Sequence, residues 1–453
     1  MKKYTVSEYK STIEKLKEAD FKGFRKYETW RFLYIHIYRY MYVPQYIENN
    51  GLVKRFFIYL SLIFKAFARM HLMRYTLSGF SKSGRRSLLY LSDYYNSRTD
   101  MQNTMVNLAD SIDDVDLIRA EKTVKFSFNP KALFYILSWF NQLNKMQIDI
   151  NLKTILLNEL VHAFVFEKCI KNYSDDILKA DALVSLNDKN TDENLLVQFC
   201  RLNGISTAGL QHGHFWNTKN SENLMYLNTD FSCLTADYFF GWGQYSYSLA
   251  IKEGPYKERF VPVGIPKYLE RLEKLPVINN KVFGVFFDTI ASGAKTNFEL
   301  AKYADFLSEK FGYKYIVKLH PTDNEERYKG VFGSNFIGFA EPMSVMDFSK
   351  KIDFSLICFS TVFFEQVYFN KPSFRYIPNP ELDIFEGLTF SSFKDTDELN
   401  QLMEYFVNEK ENYLNEYRKL SDYCCGAGDI KENYKNAFRM LKSNSSIRRT
   451  NNK

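Results

Sequence analysis

The chain has 453 residues, 45% apolar and 25% charged, which is enough apolar material for a large buried core in two or three domains. Aromatic residues reach 17% while glycine and proline together number only 31, so disordered, collagenous and coiled-coil chains are excluded. The net charge of +7 is unevenly placed: residues 1–86 hold 18 basic and 6 acidic side chains, a local +12, and residues 87–453 carry −5. A basic partner surface is therefore expected at one end of the molecule.

The opening MKKYTVSEYK runs straight into charged helix with no apolar core, so no signal peptide is expected. The longest strongly apolar run, Phe56 to Phe64, stops at Lys65, short of the roughly 20 residues of a membrane span. Residues 1–86 read as a helical, aromatic segment. In LVKRFFIYLSLIFKAFARMHLMRY the cations Lys54, Arg55, Lys65, Arg69 and Arg74 are separated by Phe, Leu, Ile and Met. Such a helix lies well in a membrane interface with its cations near anionic headgroups; a helix packed on its own domain suits the same residues. The spacing is helical rather than that of an RNA-binding module, so no nucleic-acid partner is expected.

From residue 87 the pattern turns to alternating strand and helix. SLLYLSD, from Ser87, reads as a strand, and residues 132–147 and 152–172 read as helices. Ala182 to Leu186 is a short apolar strand, and Asp192 is placed to cap a helix through Leu195, Leu196, Phe199 and Leu202 that ends at Gly204. Ile205 to Leu210 is the next strand, closed by Gln211-His212-Gly213-His214. Strand, helix and strand within about 30 residues imply a parallel sheet with a right-handed crossover.

A second series follows the turn-rich Val261-Pro-Val-Gly264-Ile-Pro266. It comprises strands at 282–287, 315–319, 354–358 and 373–377, with helices at 297–311 and 361–369. The prediction is an α/β chain of two facing doubly wound, Rossmann-like domains with a helical, basic N-terminal segment. Its divisions are 1–86 (basic segment), 87–265 (first domain), 266–430 (second domain) and 431–453 (C-terminal helix and basic tail). Sites in such sheets lie beyond the carboxyl ends of the strands.

The candidate residues sit at those ends. His212 ends a strand beside Gly213, which allows close approach, and a histidine there suits a base that takes a proton from a hydroxyl; hydrogen bonding to a neighbouring loop is the plainer role. His214 is a weaker candidate and Trp216 reads as cleft wall. His320 closes the strand YKYIVKLHP, which Pro321 stops, and Lys318 lies on the same strand face, so the two suit a donor phosphate or a loop contact with a solvated lysine. Ser360 and Thr361 precede the helix VFFEQVYF, where hydroxyls cap backbone N–H groups or help cradle a phosphate. Glu365, one turn in, would receive ribose hydroxyls or face solvent.

No metal or other cofactor is expected. Asp114-Val-Asp116 and Asp395-Thr-Asp397 read as caps and solvated charge, and the six histidines have no ligand spacing. The chain has no P-loop, no GxGxxG after a strand and no GxSxG elbow. Its six cysteines form no CxxC pair, as expected of reduced thiols in a cytoplasmic protein.

The series LQHG, ADYFFGWGQ, VPVGIPKY, IVKLHP and DFSLICFSTVFFEQVYFNKPSFRY resembles bacterial surface and capsule polysaccharide transferases of the GT-B type. It is similar to the CDP-glycerol glycerophosphotransferase group over roughly residues 180–380. The resemblance implies a GT-B-like fold in which 87–265 binds an acceptor and 266–430 a nucleotide donor. It implies that His212 is the activating base, that His320 with Lys318 meets the donor pyrophosphate, that Ser360 and Thr361 bind phosphate with Glu365 on the nucleotide, and that Gly264 and Pro266 mark the hinge. Where the group has an acidic residue before the two hydroxyls this chain has Cys358-Phe359, and Lys267-Tyr268-Leu269 replaces the usual Arg and Asp, which leaves the donor open among CMP-, CDP- and UDP-linked compounds.

The function expected from this resemblance is metal-independent transfer of a glycosyl or glycerol-phosphate group from a nucleotide-activated donor to a cell-surface glycan or lipid-linked acceptor. The +12 segment would hold the protein, from the cytoplasmic side, on the anionic inner face of the cell membrane. Fold alone does not fix chemistry. The alternatives are a nucleotide-sugar epimerase or hydrolase, and a non-catalytic membrane-associated assembly protein.

Overall fold

The structure, a computed structural model, describes residues 4–42, 52–81, 86–96, 98–186, 188–213, 234–252, 258–269, 280–288, 290–320, 323–379, 383, 385 and 387–451. His214, Trp216 and Pro321 lie outside the described residues.

The chain opens with helices α1 (Val6–Glu18), α2 (Trp30–Tyr42) and α3 (Leu52–Leu72). It continues through β1 (Met73–Ser78), β2 (Ser87–Leu91), α4 (Thr99–Ser111), β3 (Val115–Val124), α5 (Ala132–Lys145), α6 (Ile150–Asn172), α7 (Ser174–Leu178), β4 (Ala182–Ser185) and α8 (Thr191–Leu202). The half closes with β5 (Ser206–Leu210), β6 (Tyr238–Gly241), α9 (Gln244–Lys252) and β7 (Phe260–Pro262). The strands form one sheet in the order β1-β3-β2-β4-β5-β6-β7, parallel except for the antiparallel edge pair β1 and β3. Every residue of β2, β4 and β5 is buried, because helices cover both faces of a parallel sheet.

The described residues of the 1–86 segment are part of this fold. Phe24 stacks on Trp139 of α5 with ring centroids 5.6 Å apart, and the Trp139 indole donates to the Lys22 carbonyl at 2.7 Å. Asp149 caps α6 by accepting the N–H groups of Asn151 and Leu152 at 2.9 and 3.0 Å, and also accepts the hydroxyls of Tyr4 and Tyr40 at 2.7 Å each. One carboxylate thus ties the start of the chain and α2 to the start of α6. Among the described residues no helix is long and apolar enough to cross a membrane.

The second half runs β8 (Val282–Phe286), α10 (Ile290–Phe311), β9 (Lys314–Lys318), β10 (Phe336–Phe339), α11 (Val345–Ser349), β11 (Ser355–Ile357), α12 (Val362–Tyr368), β12 (Ser373–Tyr376) and β13 (Ser392–Phe393). Its parallel sheet has the order β10-β9-β8-β11-β12-β13, which is 3-2-1-4-5-6 in chain order and places a topological switch point between β8 and β11. Helices α13 (Thr396–Asn408) and α14 (Lys410–Cys425) complete it, and α15 (Ile430–Asn451) returns to pack on β4 and β5 of the first sheet. There Ser445 Oγ accepts from the Ser206 N–H at 2.7 Å and Arg448 pairs with Asp237 at 2.7 Å. The architecture is the expected α/β one: two facing Rossmann-like, GT-B-like domains with a helical, basic N-terminal segment.

Two local expectations are corrected. Asp192 does not cap α8: Asn190 holds the cap position, and the Asp192 carboxylate turns inward to accept the hydroxyls of Tyr90 and Ser92. Asp116 belongs to strand β3 rather than to a cap, and pairs with Arg86 at 2.6 Å. Asp395 does cap α13, accepting the Glu398 N–H at 3.0 Å.

Candidate functional site

His212 follows β5 at its carboxyl end and is half-buried. Gln211, buried before it, fixes this turn: its Oε1 accepts the Trp242 N–H at 2.8 Å, its carbonyl accepts the Trp242 indole N–H at 2.9 Å, and its amide donates to the Gly213 carbonyl at 3.0 Å. The LQHG and GWGQ stretches are therefore two halves of one support. Among the described residues an added Cβ at Gly213 would meet nothing within 4 Å. Burial, together with the charges of Lys189, Arg98 and Arg39, pushes His212 down to about 3, so its imidazole is neutral at physiological pH.

His320 follows β9 on the opposite sheet. Burial lowers its pKa, Asp323 opposes that shift, and Arg98 adds to it. Arg98, which precedes α4 and is half exposed beside Asp100 at 2.8 Å, thus acts on both histidines. Both strand ends therefore lie within the electrostatic reach of the same guanidinium. Sequence reasoning missed Arg98, Arg39 and Lys189, because isolated cations in loops and on a helix carry no pattern.

At the switch point of the second sheet lies another missed residue. Asp288, two residues past the end of β8, is 4% exposed and accepts the Phe359 N–H at 3.0 Å from the turn after β11. Its own N–H donates to Asn297 Oδ1 at 2.9 Å. Burial, partly offset by the Phe359 N–H, raises its carboxyl to about 6. Its position immediately after the apolar VFGVFF was the available signal.

The other expected residues are placed as follows. Ser360 is half-buried, with its Oγ accepting the Val362 N–H at 3.3 Å, while Thr361 is exposed and makes no side-chain cap on the seven-residue α12. Lys318 turns from the strand to donate to the Met343 carbonyl at 2.8 Å, and burial lowers its pKa. Glu365 pairs with Lys267 at 2.8 Å and accepts the Tyr268 hydroxyl, so it joins the linker after β7 to α12. Gly264 has φ +104°, and a Cβ there would stand 2.7 Å from Ile430 Cγ1; Pro266 is buried in the next turn. A cavity of about 680 Å³ opens between α4, this linker and the start of α11, lined by Asp100, Asn103, Asn107, Lys267, Tyr268 and Ser344 among others.

No family model matches the chain, and no curated protein matches it. Solved structures do. Staphylococcus aureus MnaA in a co-structure with UDP aligns at a TM-score of 0.50 and 14% identity, over 79% of this chain and 97% of its own. UDP-GlcNAc 2-epimerase from Methanocaldococcus jannaschii aligns at 0.48 and 14% over 79% and 99%, and that from Neisseria meningitidis bound to UDP-GlcNAc at 0.47 and 13% over 78% and 100%. With MnaA the chain shares the two-domain GT-B-like fold. At this identity the likeness establishes the fold.

The comparison corrects the expectation of group transfer. Structures aligned over 78–80% of the chain, including those from N. meningitidis and M. jannaschii, are named UDP-GlcNAc 2-epimerases rather than transferases, which favours the epimerase alternative over transfer from CDP-glycerol.

Proposed function

We propose that the protein is a nucleotide-sugar epimerase acting on a UDP-linked 2-acetamido sugar in the cleft between the two sheets. The observation that carries this reading is the pair of strand-end histidines, His212 and His320, held in the field of one arginine, Arg98, with Asp288 titrating near 6 at the switch point. Arg98, Arg39 and Lys189 supply positive charge where a diphosphate would lie. The named neighbours, solved with UDP or UDP-GlcNAc, support the nucleotide and the sugar.

The chemistry follows from what inversion at C2 demands. The C2 hydrogen must leave from one face and return to the other, and it is not acidic while the sugar is intact. When it leaves together with the diphosphate, the C2–H and C1–O bonds break, a C1=C2 double bond forms, the base keeps the proton and UDP departs with the electron pair. Re-addition of UDP with a proton delivered to the opposite face gives the 2-epimer. His212 would be the base, taking the C2 proton once the bound diphosphate offsets the three cations that help to hold its pKa down, and Asp288, near 6, would exchange a proton on the other wall. Arg98 and His320 would stabilise the departing diphosphate, with Ser360 and Thr361 at its edge.

Incubation with UDP-GlcNAc in D2O without any acceptor tests the reading. The expected result is the 2-epimer carrying deuterium at C2, with His212→Ala and His320→Ala each losing at least about a hundredfold in rate at unchanged thermal stability. An intact substrate with no deuterium exchange, or full activity in both variants, would overturn it.

A further inference from the structure

We propose that the face built by α3, the segment after β3 and α5 docks on an anionic lipid bilayer. Apolar side chains stand out from all three elements: Leu60 (54% exposed) and Phe64 (70%) on α3, Phe126 (67%) and Phe128 (70%) after β3, and Leu133, Phe134 and Leu137 at the start of α5. They share one side of the domain. Ser127 and Lys125 donate their N–H groups to the carbonyls of His71 and Leu72 at 2.8 Å each, which fastens the Phe126–Phe128 segment to the end of α3. The His71 ring lies 6.2 and 5.8 Å from those of Phe126 and Phe128, and Phe64 sits two turns earlier on the same helix stripe. Tyr59 meets Phe140 edge-on at 5.0 Å, so α3 and α5 run against each other with Leu133 and Leu137 on the Phe140 stripe.

Charge selects the occupant. Neither α3 nor residues 122–145 contains a single acidic side chain, whereas Lys65, Lys122, Lys125 and Lys131 are exposed among the apolar ones. Lysine is depleted in the cores of protein interfaces, which disfavours a protein partner. Protruding Phe and Leu flanked by lysines instead match an interface where rings enter the acyl boundary and ammonium groups meet lipid phosphates. Tyr9 of α1 and Phe32, Tyr34 and Tyr40 of α2 are buried, so the basic segment contributes through α3.

The full chain, sedimented with phosphatidylcholine vesicles with or without about one third phosphatidylglycerol, tests this without any turnover in the cleft. Pelleting is expected with the anionic vesicles only, weakening as salt is raised. Phe126→Ser combined with Phe128→Ser, and separately Lys65→Glu combined with Lys125→Glu, should each weaken it at least about tenfold while leaving thermal unfolding unchanged, since these side chains are exposed. Failure to pellet, equal pelleting with neutral vesicles, or variants that bind like the parent would overturn the proposal. So would a stable dimer in solution that the Phe variants dissociate, which would make the face a protein interface.

Discussion

Asp288 is a carboxyl whose cost and use are tied together. Burial favours its neutral form, so the folded chain binds this proton more tightly than the unfolded chain, whose carboxyl titrates at 3.8. The sign follows: the stabilising contribution is present below pH 3.8 and is lost as pH rises through about 6, above which the fold carries a buried carboxylate. A rise to about 6 corresponds to at most roughly 3 kcal/mol. Asp288→Asn keeps an oxygen for the Phe359 N–H and removes the charge, so its melting temperature is expected to exceed the parent's by up to several degrees near pH 7.5, with the gap closing near pH 4. A gap of the same size at both pH values would show that the carboxylate is not what strains the fold. The gain in stability should come with lost epimerisation. Asp288 was missed although it follows an apolar strand, and its titration was beyond the sequence, since it is set by burial in the folded sheet and opposed by the N–H of Phe359, 71 residues away.

At the scale of elements, legibility followed burial. Strands β2, β4 and β5 are covered on both faces and read as short apolar runs, and the helix Ile150–Asn172, buried nearly all round, read as a helix from its continuous apolar content. Strand β3 was missed because DVDLIRAEKTV alternates charged and apolar residues near a sheet edge, and most of its outer half faces solvent. The return of α15 was equally silent in the sequence, since it rests on close backbone packing. Gly426, at φ +102° after α14, would place a Cβ 2.6 Å from the Gly264 Cα, and Ile265 donates its N–H to the Cys425 carbonyl at 3.2 Å. The two glycines let the end of the second domain cross against the linker after β7. Gly426→Ala is therefore expected to cost about 2–4 kcal/mol, from left-handed strain and backbone overlap together. Denaturant unfolding measures this directly, and a change below about 0.5 kcal/mol would mean that the crossing relaxes without loss.

For the whole molecule, the crossing helix and the cleft bind the two sheets into one thermodynamic object. Arg448, at the end of the chain, shares Asp237 with Arg201 of the first domain, while Lys267 and Tyr268 after β7 hold Glu365 of the second. On the proposed reading, a nucleotide meeting Arg98 on one wall and the β8–β11 switch point on the other would stabilise both domains at once, because unfolding either would destroy its site. The expected gain follows mass action, about 2.7 kcal/mol at a hundredfold excess over the dissociation constant. In a thermal-shift comparison of CMP, CDP, UDP and GDP at equal concentration, UDP should raise the melting temperature most. CMP, which lacks the second phosphate, should raise it least, because the cationic groups around His212 favour the diphosphate charge. Arg98→Gln should shrink the UDP shift while leaving the unliganded melting temperature within about a degree, since its partner Asp100 is itself exposed. A larger shift with CMP than with UDP, or an Arg98→Gln protein that responds to UDP like the parent, would remove the diphosphate from the cleft and the epimerase chemistry with it.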